Sequence, residues 1–296
     1  MTKDLSVALD YVYKQWNGVQ EIKNVYQKGE MRKTNFKPSS GYEFKQFIAN
    51  DVNLEVLQYC QPSKNVVLMV HGGSFVYRMS DNFAKMIPFY AEASSHATVV
   101  TVDYRVAPHV TYQEMIRDVV RGYEWVLGEG YKPENIVIAG DSSGGGTTLA
   151  TVLYLREHNY PMPAGVITLS ACTNMGCNTV SFSEKFQVDC VFGRSGQLSQ
   201  RFATYVGEDD FNNPYISPYF ANYHGFPPML IQVGSNEMLL DDSKDIAKKA
   251  HKQGVDVTLE IYENMFHDFQ MCKGVLVEAD MAWIGIERFL ERVLKK

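Results

Sequence analysis

Several protein classes are excluded by what this chain has little of. Cysteine is sparse: Cys60, Cys172, Cys177, Cys190 and Cys272 are odd in number and irregular in spacing, and no two form a C-x-x-C pair. That pattern excludes a disulfide framework and a zinc finger, and predicts free thiols in a reducing compartment. Long apolar runs are missing, and none approaches the ~20 residues that a membrane-spanning helix needs. The N-terminus, MTKDLSVALDYVYKQW, lacks both a long apolar stretch and a small-residue cleavage site, so no secretory signal is expected. There is no excess of basic charge: 28 Lys and Arg stand against 34 Asp and Glu, a net charge of −6. A nucleic-acid partner would demand a basic face to meet phosphates. The expectation is a soluble, cytoplasmic protein that binds no nucleic acid.

What is present is the material of one large α/β domain. Apolar residues make up 45% of the 296 positions and charged residues 21%, enough to build a sizeable core. Leu5, Leu9, Val12 and Trp16 fall at helical spacing, so residues 1–40 read as one or two helices outside the main sheet. From Tyr42 the period changes. Phe44–Ile48 and Leu54–Tyr59 alternate as the strands of a hairpin joined by Asn50-Asp51-Val52-Asn53. Short continuous apolar runs follow at Val66–Val70, Thr98–Val102, Ile136–Ala139, Gly165–Leu169 and Met229–Val233. A less apolar one spans Val255–Ile261. Strands that are apolar on both faces suit a parallel sheet covered by helices. Helical patterns lie between them, at Asn82–Ser95, Thr111–Leu127, Gly146–Glu157, Ser243–Gln253 and Val275–Leu294. This alternation predicts βαβ units in an open, mostly parallel sheet. One segment, from about residue 175 to 213, breaks the rhythm and is expected to cap the carboxyl edge of the sheet.

Chemistry concentrates at three places. Gly140-Asp141-Ser142-Ser143-Gly144 fits G-x-S-x-G, with an apolar strand before it and a helical pattern after it. Such a strand-to-helix turn holds its serine in a strained conformation, exposes the hydroxyl and aims helix N–H groups at developing negative charge. The spacing selects Ser142 over Ser143, because only Ser142 has glycine on both sides at two residues' distance. His71-Gly72-Gly73-Ser74-Phe75 follows the strand Val66–Val70. Gly72, Gly73 and Ser74 form the loop of an oxyanion hole, whose donors would be the amides of Gly73 and Ser74 together with that of Ser143. His71 reads as structural, holding the loop by a hydrogen bond. Of seven histidines, His96, His109, His158, His224 and His251 sit in helical or polar loop surroundings and read as solvated. His267 follows the last strand, where the order serine, acid, histidine requires a general base. The acid should lie after Met229–Val233. Glu237 sits in that loop and is the first choice, with Asp241 second. Asp241 and Asp242 fall where the next helix begins, and their bland role is N-capping and complementing the helix dipole.

Together these residues resemble the hormone-sensitive-lipase branch of the α/β-hydrolases, a family of carboxylesterases, over about residues 50–290. Asp103-Tyr104-Arg105-Val106-Ala107-Pro108 looks like that family's D-Y-R-x-A-P segment, followed by an acid at Asp118 in the next helix. Ser217-Pro218, Pro227-Pro228, Glu237-x-Leu239-x-Asp241-Asp242 and Met265-x-His267 match further. Departures are Ser74 for a third glycine, Ser143 for the usual alanine, Glu237 where many members carry Asp, and Ala171-Cys172-Thr173-Asn174 for Pro-Trp-x-Asp. The resemblance implies an α/β-hydrolase fold with a helical cap built from residues 1–40 and about 175–213. It implies catalytic residues Ser142, Glu237 and His267 acting on small-molecule esters of short or medium acyl chains, without metal or cofactor, and it points to a homodimer. Two alternatives stand beside this reading. One is an amide or arylformamide hydrolase on the same triad; the other is a non-catalytic small-molecule receptor of the same fold.

Overall fold

The computed structural model describes residues 31–193 and 198–294. The helical reading of residues 1–30 lies outside them. Residues 31–39 form no helix. They run beside the sheet, where Arg32 bridges Glu55 and Asp81 and the Asn35 N–H donates to the same Asp81 carboxylate.

Eight strands build one sheet: β1 (Tyr42–Ala49), β2 (Val52–Tyr59), β3 (Val66–Val70), β4 (Thr98–Asp103), β5 (Ile136–Asp141), β6 (Gly165–Leu169), β7 (Met229–Gly234) and β8 (Val257–Tyr262). Their order is β1-β2-β4-β3-β5-β6-β7-β8. β2 runs antiparallel to β1 and β4, and all later neighbours are parallel. The β1–β2 turn is tighter than the sequence pattern suggests. Only Asn50 and Asp51 form it, at φ +50° and +63°, and Ala49 pairs with Val52. Two successive positive-φ residues give the twist that a two-residue hairpin needs.

Eight α-helices are described. They are α1 (Asp81–Ala84), α2 (Met86–Ala93), α3 (Tyr112–Gly128), α4 (Ser142–Glu157), α5 (Val180–Glu184), α6 (Leu198–Val206), α7 (Leu240–Lys252) and α8 (Val277–Val293). Side chains alternate across each strand, so each central strand feeds two cores. Leu68, Val100 and Ile138 face α3 and α4, while Val67, Met69, Val99 and Ala139 face α2 and α8. β3 to β7 are buried throughout, which explains their unbroken apolar runs; β8, at the edge, is only half-buried and less apolar. Thr111 and Glu114 close a reciprocal capping box that fixes where α3 starts. Among the described residues no helix is long and apolar enough to cross a membrane, and no disulfide forms.

The segment after β6 carries α5 and α6. It docks on the turn after β7 through paired bonds: the Ser181 N–H donates to Asp241 and the Ser181 hydroxyl to the Met238 carbonyl. Asp189 accepts from the N–H groups of Met238, Val191 and Phe192.

Candidate active site

The carboxyl ends of β3, β5, β6 and β7 deliver loops to one place. β5 ends on Asp141 and α4 begins on Ser142, at φ +50°. A side chain is strained there, and the surroundings hold it: Cys172 donates its N–H to the Ser142 carbonyl at 2.9 Å. Close packing explains the glycine two residues on. A Cβ at Gly144 would lie 2.2 Å from the Val70 carbonyl oxygen, so only glycine lets α4 approach β3 this closely.

Against what its pattern predicts, the turn does not leave the serine in the open: the loops packed around it bury both Ser142 and His267, and His267 Nε2 lies 2.9 Å from Ser142 Oγ. On the other side of the ring, His267 Nδ1 lies 3.1 Å from Glu237 Oε2. Glu237 is fully buried and held from behind: its Oε1 accepts from the Gly234 N–H at 2.6 Å and the Ser170 hydroxyl at 2.7 Å. The structure thus brings Ser142, Glu237 and His267 into one chain of contacts and leaves Asp241 out of it. The neighbouring Ser143 is buried, but it is Ser142 whose hydroxyl meets His267.

Asp241 and Asp242 stand in the first turn of α7, as acids that complement a helix dipole do, but they are not N-caps, because α7 starts after Leu239 without a side-chain cap. Asp241 instead ties α5 to α7. Asp242 is buried and accepts from the N–H groups of Thr173 and Asn174 at 3.1 and 2.9 Å, fixing the loop after β6. Burial pushes its carboxyl up to about 7, against the pull of those donors.

The loop after β3 turns through positive φ at Gly73, Ser74 and Phe75. A Cβ at Gly73 would meet the Tyr77 carbonyl oxygen at 2.7 Å. The Gly72 N–H donates to Asp141 Oδ2 at 3.1 Å, so it is engaged and does not face the serine as a further donor. Ser143 lies in the first turn of α4, where N–H groups have no partner within the helix. His71 anchors the loop as the sequence suggests: its ring stacks on Tyr104 at 4.3 Å, and Nδ1 lies 2.7 Å from the Gly72 carbonyl oxygen. Burial lowers its pKa to about 4, so it stays neutral. The Asp103-Tyr104-Arg105 segment is scaffold around it. Tyr104 donates to the His71 carbonyl at 2.7 Å, Asp103 accepts from Arg78, and Arg105 makes a two-pronged bond to Asp118. The other five histidines are all exposed.

Three neighbours were not singled out from the sequence. Cys172 Sγ lies 3.7 Å from Ser142 Oγ. Phe192, fully buried, packs on the His267 ring with centroids 4.2 Å apart. Asp268 Oδ2 lies 3.2 Å from His267 Nε2. Only Asp268 carried a signal, its position directly beside the histidine. Burial alone would lower the pKa of His267; Asp268 and then Glu237 more than reverse this and raise it to about 10. Burial pushes Glu237 above its usual range, opposed by its bonds to His267, Gly234 and Ser170.

A family described as alpha/beta hydrolase fold matches residues 67–271. An esterase of Acinetobacter venetianus is 32% identical over 225 residues, covering 76% of this chain and 74% of that protein. An acetyl-hydrolase of Streptomyces hygroscopicus is 30% identical, over 73% of this chain and 72% of its own length. The crystal structure of an esterase from the bacterial hormone-sensitive lipase family superposes with a TM-score of 0.85 at 28% identity, covering all of both chains. A hormone-sensitive lipase from a metagenome library does so at 0.82 and 32% identity, over 88% of each chain.

Proposed function

The chain belongs to the α/β-hydrolase fold family, in its hormone-sensitive-lipase-like branch, and is a carboxylic ester hydrolase; from that premise we propose that it works through an acyl-enzyme on Ser142, with His267 as general base and Glu237 as the acid that orients it. The observation carrying this reading is the continuous path from Ser142 Oγ to His267 Nε2 and from Nδ1 to Glu237 Oε2, at 2.9 and 3.1 Å.

In this mechanism His267 accepts the Ser142 proton at Nε2 as Oγ attacks the ester carbonyl carbon. The tetrahedral oxyanion is held by the amides of Gly73, Ser74 and Ser143, donors already pointed before charge develops. His267 returns the proton to the leaving alkoxide, which departs as the alcohol. Water then attacks the acyl-enzyme, giving its proton to His267, and the Ser142 oxygen leaves with that proton restored. Glu237 fixes the tautomer with Nδ1 protonated and stabilises the imidazolium. The substrates we propose are esters of short to medium acyl chains, a reading that the acetyl-hydrolase relative supports. The segment of about residues 175–213 serves as the cap, with Phe192 over the imidazole. A homodimer belongs to the same proposal and is read directly by light scattering.

The deciding experiment is hydrolysis of p-nitrophenyl esters from acetate to laurate by wild type and Ser142→Ala. Turnover should be highest on the shorter acyl chains and fall by roughly 10⁴-fold or more in the variant. Activity that survives in a folded Ser142→Ala protein would overturn the nucleophile assignment. An anilide of the preferred acid, run alongside, distinguishes esterase from amidase action.

A further inference from the structure

The triad uses one carboxyl, yet His267 has one at each ring nitrogen. Glu237 takes Nδ1; Asp268 Oδ2 lies 3.2 Å from Nε2, the nitrogen that also faces Ser142 Oγ at 2.9 Å. Asp268 is placed there by its backbone. It sits at φ +56°, it is buried, and its N–H donates to Ser170 Oγ at 3.2 Å. Ser170 in turn donates to Glu237, so one hydroxyl ties the Asp268 backbone to the Glu237 carboxyl. The Asp268 Oδ1 atom is buried without a hydrogen-bond partner, as are Asp141 Oδ1 and Tyr90 Oη close by.

This geometry has a chemical consequence. A neutral imidazole accepts the Ser142 proton through the Nε2 lone pair. A charged imidazolium carries a hydrogen on Nε2, and that hydrogen has two acceptors, Ser142 Oγ and Asp268 Oδ2. A carboxylate outcompetes a hydroxyl for a cationic donor. Asp268 therefore favours the protonated ring, the form in which His267 cannot act as base. Once the proton has been transferred, the same contact holds the imidazolium in place for its return to the leaving group.

Resting on the triad reading above, we infer that Asp268 is a positioning residue that binds the Nε2–H of the His267 imidazolium and thereby sets the pH at which the base becomes competent. The ionisable groups around the ring are consistent with this role. Glu237, from the turn after β7, also favours the cation. Asp141, at the end of β5, is pushed far above its usual range by burial first and by the charge of Asp268 next. That shift favours its protonated form, which attracts the cation less than Asp268 does. Tyr90 on α2 and Cys172 after β6 are both pushed up by burial and stay neutral.

The test is the pH profile of kcat/KM for wild type, Asp268→Asn and Asp268→Ala, with Ser142→Ala as reference. Asparagine tolerates the left-handed backbone, and each variant is first checked for an unchanged fold by circular dichroism. The wild-type acid limb should lie on the alkaline side of the ordinary imidazole range. In both variants it should move down by roughly one pH unit or more, making them faster than wild type near pH 6. A limb that stays in place in a folded variant overturns the inference, and the triad reading survives if Ser142→Ala is inactive. Activity in Ser142→Ala overturns the triad reading instead. Should neither variant fold, the titration of His267 in wild type by nitrogen NMR decides: an imidazole that loses its proton near its ordinary value overturns the inference.

Discussion

Three acids crowd the turn after β7, and their surroundings give each a different task. Glu237 is fully buried, faces the imidazole and accepts three bonds. Asp241 is partly exposed and bonds Ser181 and Lys244, and Asp242 points into the loop after β6. Replacing Glu237 by Gln keeps the shape but can offer Nδ1 an amide that selects the wrong tautomer. We therefore expect turnover to fall by roughly 10³-fold or more with little change in KM. Asp241→Asn should retain activity within severalfold, because nothing links it to the ring. Steady-state kinetics of the two variants would reverse the assignment if Asp241→Asn proved the more damaging. From the sequence, Glu237 could be picked by its place in the loop alone. The ordering of the serine, acid and histidine elements along an α/β sheet constrains the site strongly. Asp268 and Cys172 could not be picked in this way. Their contacts depend on a left-handed backbone at Asp268 and on a loop after β6 whose path no periodicity encodes.

At the scale of elements, the strands could be read because their burial on both faces demands unbroken apolar runs. Helices were legible where one face is polar, as in α3 with its capping box. The start of α4 was not. Three successive glycines hide a helix that begins at Ser142 itself, because packing against β3 rather than propensity holds it. The pattern at 82–95 divides into α1 and α2 around Lys85. α5 and α6 are short and surrounded by Ser, Gly and Phe, so tertiary contacts define them. One such contact has a functional reading. Tyr205 of α6 stacks on Phe75 at 4.0 Å, and Arg201 reaches the Ser74 hydroxyl at 3.5 Å. Phe75 directly follows the proposed oxyanion donors, so α6 braces that loop. Tyr205→Ala removes a buried ring and should cost about 3 kcal/mol of stability. It should also lower kcat more than it changes KM, since a loosened donor acts on the transition state. Melting curves and kinetics together check this. A variant that loses stability while keeping kcat would show that α6 covers the loop without bracing it.

For the molecule as a whole, stability should carry the signature of its buried acids. The chain bears a net charge of −6, yet Asp242 lies inside, its carboxyl pushed to about 7 chiefly by burial. In the unfolded chain the same group gives up its proton near 4. Between these values the folded state holds a proton that the unfolded state has lost, so stability falls as pH rises from about 4 to about 7. The contribution is large, up to roughly 4 kcal/mol across the window. His71 acts in the opposite sense over part of the same range. Its folded pKa is lowered to about 4, so its neutral burial costs stability as pH falls below about 6.5. The two tendencies oppose each other in wild type, and a substitution must separate them. Asparagine at 242 can still accept from Thr173 and Asn174 but has no proton to lose. The melting temperature of wild type relative to Asp242→Asn should therefore drop by several degrees between about pH 4 and pH 7, then level off above about pH 8. Measured in parallel across that range, a constant difference between the two proteins would mean that Asp242 is charged in the folded state throughout. Its hydrogen-bond donors would then outweigh its burial.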